Sequence, residues 1–275
     1  MAEPLPLFPL GHTVLFPGVV LPLHVFEERY RELVRTLVEL PEGARRRFGV
    51  VAIRQGWEVG EDAVSALHDV GCAAELRRVS RYPDGRYDIV TVGTDRFRLR
   101  SVDRESRPYL VGSVEWLPAE PPEPPPPAGP AGPGNPAGPG ALAGPRDPGD
   151  PGAPAGPGGP AGPGGSGGSG GLGGLAGLAD AVATLYAEYV DAAAGLQGQL
   201  TEEADLPEDP VQLAYAVAAA AVLTLEDRQA LLEAETTRAR LRAELRLLKR
   251  ETTMVRRLRA LPVPIAELQV SQSLS

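Results

Sequence analysis

The hydrophobic pattern of this chain changes period near its N-terminus. From Leu5 to Val25, apolar residues come in short runs broken by Pro6, Pro9, Pro17 and Pro22. Each proline fixes φ and removes a backbone donor, which predicts an extended, repeatedly bent segment and no long central strand. Between the prolines, Thr13–Phe16 and Val19–Leu21 suit short buried strands. From Phe26 the spacing becomes helical. Phe26, Tyr30, Leu33, Val34, Leu37 and Val38 share one face, with Glu27, Glu28, Arg29, Arg31 and Glu32 opposite. This pattern assigns Phe8, Val14, Phe16 and Phe26 to a core.

Pro41-Glu42-Gly43 stops the helix and a basic cluster, Arg45-Arg46-Arg47, follows. Phe48–Ile53 reads as a buried strand and Gln55–Glu61 as a loop with Trp57 partly exposed. Asp69–Val79 is extended, and Pro83-Asp84-Gly85 supplies a preset φ and a permissive left-handed position, predicting a hairpin. Tyr87–Val92 is the return strand. Arg96–Val102 alternates as a further half-buried strand, with Phe97, Leu99 and Ser101 on one side and arginines with Val102 on the other. Tyr109–Trp116 closes the set. A small, mostly antiparallel β domain with one helix results, as a curled sheet or partly closed barrel.

Pro118 to about Gly174 is low in complexity. Pro121–Pro127 favours polyproline II, and the later Gly-Pro and Gly-Ser repeats favour flexible coil without the collagen period. A coil of ~50 residues spans roughly 40 Å. Its closure costs only about 2 kcal/mol more than that of a ~6-residue loop, so it fits inside one folding unit. Helical periodicity then returns. Leu178, Val182, Leu185, Tyr186, Tyr189 and Val190 share a face, and Asp209-Pro210 opens a second helix. Thr224–Asp227 marks a break and restart. A long last helix carries Leu241, Leu245, Leu248, Val255 and Leu258 before Pro262 and Pro264. The expected organisation is a β-rich lobe (1–118), a disordered Pro/Gly-rich insertion (119–174), an α-helical lobe (175–264) and a tail (265–275).

Composition narrows the function. Net charge is −9, which argues against general nucleic-acid binding. The one cysteine, Cys72, forms no internal disulfide, so a reducing cytoplasm is the simplest home. Residues 1–4 show no basic leader, and the most apolar run, Val211–Leu225, is short of a bilayer span, so no membrane association is expected.

The run LPLFPL, VLFPG and LPLHVFEERYRELV resembles the opening of the N-terminal substrate-binding domain of Lon proteases. The resemblance continues through Arg47–Val51 and DVGCAAELRRVSRYPDGRYDIVTVGTDRFRLRSV, and resumes after the insertion at DPVQLAYAVAAAAVLTLEDRQALLEAETTRARLRAELRLLKRE. It implies an α+β fold in which a PUA-like pseudo-barrel with one helix precedes a C-terminal α-helical bundle. It also implies a stand-alone polypeptide-recognition module that binds unfolded or degron-bearing polypeptides or a protease component. An ATPase or a Ser–Lys peptidase needs a lysine in each site. The only lysine here, Lys249, lies among arginines of the last helix, so neither activity is expected.

Other chemistry is sparse. His12, His24 and His68 lack metal-ligand spacing, and no metal or cofactor is implied. His24 reads as a core or edge histidine and Cys72 as a small buried hydrophobe. Glu27 and Glu28 point apart on a helix and read as a solvated face. Two surfaces invite binding. One is the bend-rich opening, where Pro9, Leu10, Pro17, Gly18 and Pro22 are candidates for gripping extended peptide. The other is the last helix, where Arg242, Arg246, Lys249 and Arg250 are candidates for an acidic partner. Nucleic acid there, homo-oligomerisation through the same helix, and a small-molecule hydrolase are the alternatives.

Overall fold

The computed structural model describes residues 2–56, 64–118, 174–197 and 206–258. Among them the β elements are β1 (Glu3–Leu10), β2 (Val20–Val25), β3 (Arg47–Gly56), β4 (Val64–Leu67), β5 (Val70–Arg81), β6 (Tyr87–Asp103) and β7 (Val111–Trp116). The helices are α1 (Glu28–Val38), α2 (Leu175–Gln197), α3 (Pro210–Ala220), α4 (Leu225–Glu233) and α5 (Thr237–Leu258). The expected α+β class, an antiparallel β domain followed by helices, is what is found. Trp57, the insertion from 119 to 173, Arg259, Pro262, Pro264 and the tail lie outside the described residues.

The strands run in the order β1-β7-β6-β5-β3, and a parallel β1–β3 pairing joins the two ends into a closed barrel. β4 extends from β3 and β2 from β6. Prolines were expected to keep β1 from a central position, yet it has neighbours on both sides. It passes from one to the other: Glu3–Pro6 pairs with β7 and Leu7–Leu10 with β3. No stretch of it must therefore bond on both edges throughout, which accommodates Pro4, Pro6 and Pro9.

Three sequence boundaries shift. Thr13–Phe16 is not a strand; it is irregular, with Val14, Leu15 and Phe16 buried in the larger apolar cluster. Gln55 and Gly56 belong to β3, bulged where β4 joins. The two strands expected at Tyr87–Val92 and Arg96–Val102 are a single 17-residue β6. Its first half lies between β5 and β2, and its second between β5 and β7. The hairpin forms as expected, with Gly85 at φ 86°.

The barrel interior is filled by Leu5, Leu7, Val51, Ile53, Leu67, Phe97 and Val114. Phe97 stands so close to the wall that a Cβ on Gly71 would lie 2.4 Å from its ring, so only glycine fits there. A second, larger cluster coats the outside of the barrel. It runs from Phe8, Phe16 and Phe48 through the buried face of α1 to Val182, Tyr215, Leu231, Leu241 and Leu248 of the helices. One apolar core therefore joins the two lobes.

The helices end where their caps dictate. Asp209 accepts from Gln212 N–H at 2.9 Å ahead of Pro210, and the Thr224 hydroxyl accepts from Asp227 N–H at 3.1 Å. Two arginines, one on the half-buried strand and one on the basic last helix, are buried. Arg96 of β6 donates to the carbonyls of Leu232 at 2.8 Å and Ala234 at 2.7 Å. Arg240 of α5 donates to Leu231 O at 2.9 Å and Ala234 O at 3.0 Å, with its guanidinium 4.3 Å from the Tyr215 ring centre. The last carbonyls of a helix lack partners within it and sit at the negative end of its dipole, so both cations are favoured there.

One turn beyond Arg240, Glu244 is buried with neither carboxyl oxygen hydrogen-bonded. Burial pushes its carboxyl up to about 8, only partly offset by Arg240.

Two outcomes follow from these contacts. Arg96→Ala takes the donor from the buried Leu232 carbonyl, while Ala234 O keeps Arg240, so urea unfolding should show a loss of about 2 kcal/mol. For Glu244, the folded state keeps a proton that the unfolded state loses in the ordinary carboxylate range. Its contribution is full below that range and fades as pH rises toward 8, at up to about 1.4 kcal/mol per pH unit. Glu244→Gln should therefore flatten the stability–pH curve over that window relative to the unsubstituted chain.

Candidate functional site

β2 enters the fold from the turn at Pro17-Gly18 and runs antiparallel to the first half of β6, in a register that sets His24 opposite Asp88. α1 begins only at Glu28, with Glu27 at the N-cap position and no side-chain capping bond there. Phe26 thus falls in the bend between strand and helix. It was expected in the core on the helix's apolar face; instead it is 52% exposed, because the helical period starts after it.

That bend leaves an open groove of about 200 Å³. The end of β1 contributes Phe8, Pro9 and Leu10, the end of β2 contributes Leu23, His24 and Val25, and the helix entry contributes Phe26, Glu27 and Tyr30. The floor is rigid. The Phe8 and Tyr30 rings stack with centroids 4.1 Å apart, and Phe48 packs on Phe8 at 5.7 Å. Arg29 lies 4.6 Å from the Tyr30 ring centre and 3.0 Å from the Glu27 carboxylate.

The rim is aromatic and anionic. His24 Nδ1 donates to Asp88 Oδ1 at 2.6 Å, and the Tyr82 hydroxyl donates to Asp88 Oδ2. The carboxylate can only accept, so Nδ1 carries the proton. Bonding from Tyr82, then from His24, holds the Asp88 carboxyl below the usual carboxylate range, and the same contact raises the Tyr82 hydroxyl. The His24 ring lies 6.3 Å from Phe26 and 6.1 Å from Tyr82, making a row of three rings. Val20 at 58% and Tyr82 at 40% exposure extend the apolar surface along the same side. Uncovered apolar surface beside a sheet edge is the physical signature of a binding site.

Of the sequence candidates, Pro9 and Leu10 line the groove, Pro9 buried and Leu10 half-buried. Pro17, Gly18 and Pro22 do not line it. Pro17 and Gly18 form the turn before β2, where Gly18 N–H donates to Gly93 O at 2.8 Å, and Pro22 is exposed on β2. Phe26, Tyr30, His24 and Asp88 were missed as site residues. The available signal was the adjacent pair Glu27-Glu28, whose acids mark the first turn of a helix and so place Phe26 ahead of it.

On α5, Arg242, Arg246 and Lys249 are exposed, while Arg250 is engaged by Asp227 at 2.6 Å and Glu251 at 2.7 Å. Cys72 is fully buried and its thiol is pushed far up by desolvation, which makes it an inert packing residue. Among the described residues, no group of three or more His, Cys, Asp or Glu is placed to hold a metal ion. No helix among them is long and apolar enough to cross a membrane.

A closed barrel with helices packed on its outer face and an apolar groove at one strand edge defines a binding module. The chain belongs to the family described as the ATP-dependent protease La (LON) substrate-binding domain, whose profile matches residues 4–131 and 173–250. Lon protease of Porphyromonas gingivalis is 35% identical over 118 residues, covering 43% of this chain and 13% of that protein. Lon protease 2 of Herpetosiphon aurantiacus is 35% identical over 117 residues, covering 42% of this chain and 12% of that protein. The chain thus spans only a small part of the length of these relatives, and the matched family is the substrate-binding module, a non-catalytic one. The crystal structure of a Lon N-terminal domain protein from Xanthomonas campestris aligns with a TM-score of 0.49 and 21% identity. It covers 89% of this chain and 98% of that one.

The exposure of the groove residues separates binding from folding. Phe26→Ala should change unfolding free energy by no more than about 0.5 kcal/mol. Tyr30→Ala, which empties the stacked floor, should cost about 3 kcal/mol in the same denaturant titration.

Proposed function

We propose that this chain is a non-catalytic polypeptide-recognition module that holds extended apolar segments of other proteins in the groove between β1, β2 and α1. The observation that carries this reading is Phe26, a large aromatic half-exposed above a rigid floor of Phe8 and Tyr30. Aromatic anchors of this kind supply most of the energy of a binding surface. Membership of the substrate-binding family supports the same reading.

The strand edge adds backbone recognition. Val19 O accepts from Gly93 N–H at 2.9 Å, and alternation along the β2–β6 ladder then turns the backbone of Pro22 and His24 away from β6. Pro22 has no N–H to offer there, so an added strand bonds at His24, beside the groove. Unfolded or degron-bearing polypeptides meet these requirements. The module then acts as a substrate adaptor or regulator of proteolysis in the cytoplasm, passing what it holds to a protease component.

A second contact is proposed on α5. Arg242, Arg246 and Lys249 are exposed, and among the described residues no ion pair engages them. With Arg250 at the edge of this stripe, they form a surface suited to an acidic patch on that partner.

Fluorescence polarisation against a permanently unfolded protein and apolar peptides tests the main reading. Saturable binding weakened about tenfold by Phe26→Ala is expected, as for loss of an aromatic anchor. Equal binding by the two chains would remove the groove from consideration.

A further inference from the structure

We infer that the groove selects segments in which an apolar anchor is followed, two residues later, by lysine or arginine. This inference rests on the groove being a polypeptide site. Its grounds are the charge and spacing of the rim.

Asp88 is bonded on both oxygens, by the Tyr82 hydroxyl and the His24 N–H, and among the described residues no arginine or lysine is bonded to it. Its carboxylate is therefore fixed in orientation at the rim. Two other carboxylates nearby are bonded by arginines: Glu27 by Arg29 at 3.0 Å, and Asp84 by Arg86 at 2.7 Å. Arg86 lies 5.8 Å from the Tyr82 ring centre and bonds Asp84, so Asp88 is the rim carboxylate to which no arginine is bonded. A cation laid against the Tyr82 ring beside Asp88 gains from the carboxylate and from the aromatic face together.

Spacing sets the motif. The rings of Phe26, His24 and Tyr82 follow one another at 6.3 and 6.1 Å. Residues facing one side of an extended chain recur at roughly 6.8 Å, every second position. A segment lying antiparallel to β2 with its anchor beside Phe26 therefore brings the side chain two positions on to His24 and Asp88. An acidic residue at that position meets Asp88 at close range and is rejected, which gives the site a preference by repulsion as well as attraction.

The test uses the full chain and labelled nonapeptides with one phenylalanine in a Gly/Ser background. The residue two positions on is Lys, Arg, Ser or Glu, and in a control set the Lys sits adjacent to the Phe. Lys and Arg at the second position should bind about fivefold tighter than Glu. The preference should shrink in the adjacent-Lys set and disappear in Asp88→Asn, an exposed substitution that keeps the size of the side chain. Equal affinity for Lys and Glu peptides, with Phe26→Ala still weakening both, would overturn the charge selection and leave the groove standing. No effect of Phe26→Ala on any peptide would overturn the groove and this inference with it. A preference that survives Asp88→Asn would overturn the role given to that residue. Loss of peptide binding as the chain dimerises in sedimentation would assign the groove to a second copy and overturn it too.

Discussion

The end of α4 is the joint on which the two halves of the molecule depend. Its last carbonyls receive Arg96 from the barrel and Arg240 from α5, and Ala234 O accepts from both. Buried cations are tolerable only where their hydrogen bonds are met, and the open end of a helix meets them with oxygens that would otherwise lack donors. Gln229 of the same helix donates to Val70 O of the barrel at 3.0 Å, and Phe16 lies 6.2 Å from Tyr215. A short helix is thereby stitched to a strand on one side and to a long helix on the other. The barrel and the helices, far apart in sequence, behave as one packed body.

The groove is what remains open once that body is closed. The outer face of the barrel is covered by α1 and by the C-terminal helices, and the barrel's wall has no free end between β1 and β3. β2 hangs from β6 beyond the ring, as β4 does from β3, and α1 begins directly after β2. The chain must turn within Phe26-Glu27 to pass from strand to helix. That turn lifts an aromatic ring off the core and sets it beside a paired histidine and aspartate.

Local periodicity made most elements legible in the sequence: the amphipathic helix of Tyr30, Leu33, Val34 and Leu37, the Gly85 hairpin, the Asp209 cap and the stripe of Leu241 and Leu248. Contacts between distant residues were not legible. Arg96 sits in an alternating run that reads as solvent-facing, and nothing local tells that a helix end 136 residues away will cover it. Arg240 looks like one more charge on a basic helix. The continuity of β6 was hidden by Gly93-Thr94-Asp95, residues that resemble a loop but that β5 accommodates with a bulge. Of the groove, Pro9 and Leu10 were visible as part of an apolar opening. Phe26 was not, because helical spacing extrapolated two residues too far cannot be told from the helix itself. Asp88 acquires its role only through the strand register that faces it with His24.

The first strand also carries a consequence for how the molecule is made. β1 is made before its partners, which are β3, some forty residues later, and Val111–Val114 of β7, more than a hundred residues later. At roughly 5–20 residues per second, Leu5, Leu7 and Phe8 wait several seconds for the second partner. An apolar, β-prone segment left unpaired that long is a template for stacking with its copies on neighbouring chains. Pro4, Pro6 and Pro9 interrupt every run of six residues in it, and a chain lacking those N–H groups cannot complete a cross-β ladder. The residues that bend the finished strand are also the ones that keep the nascent strand solitary.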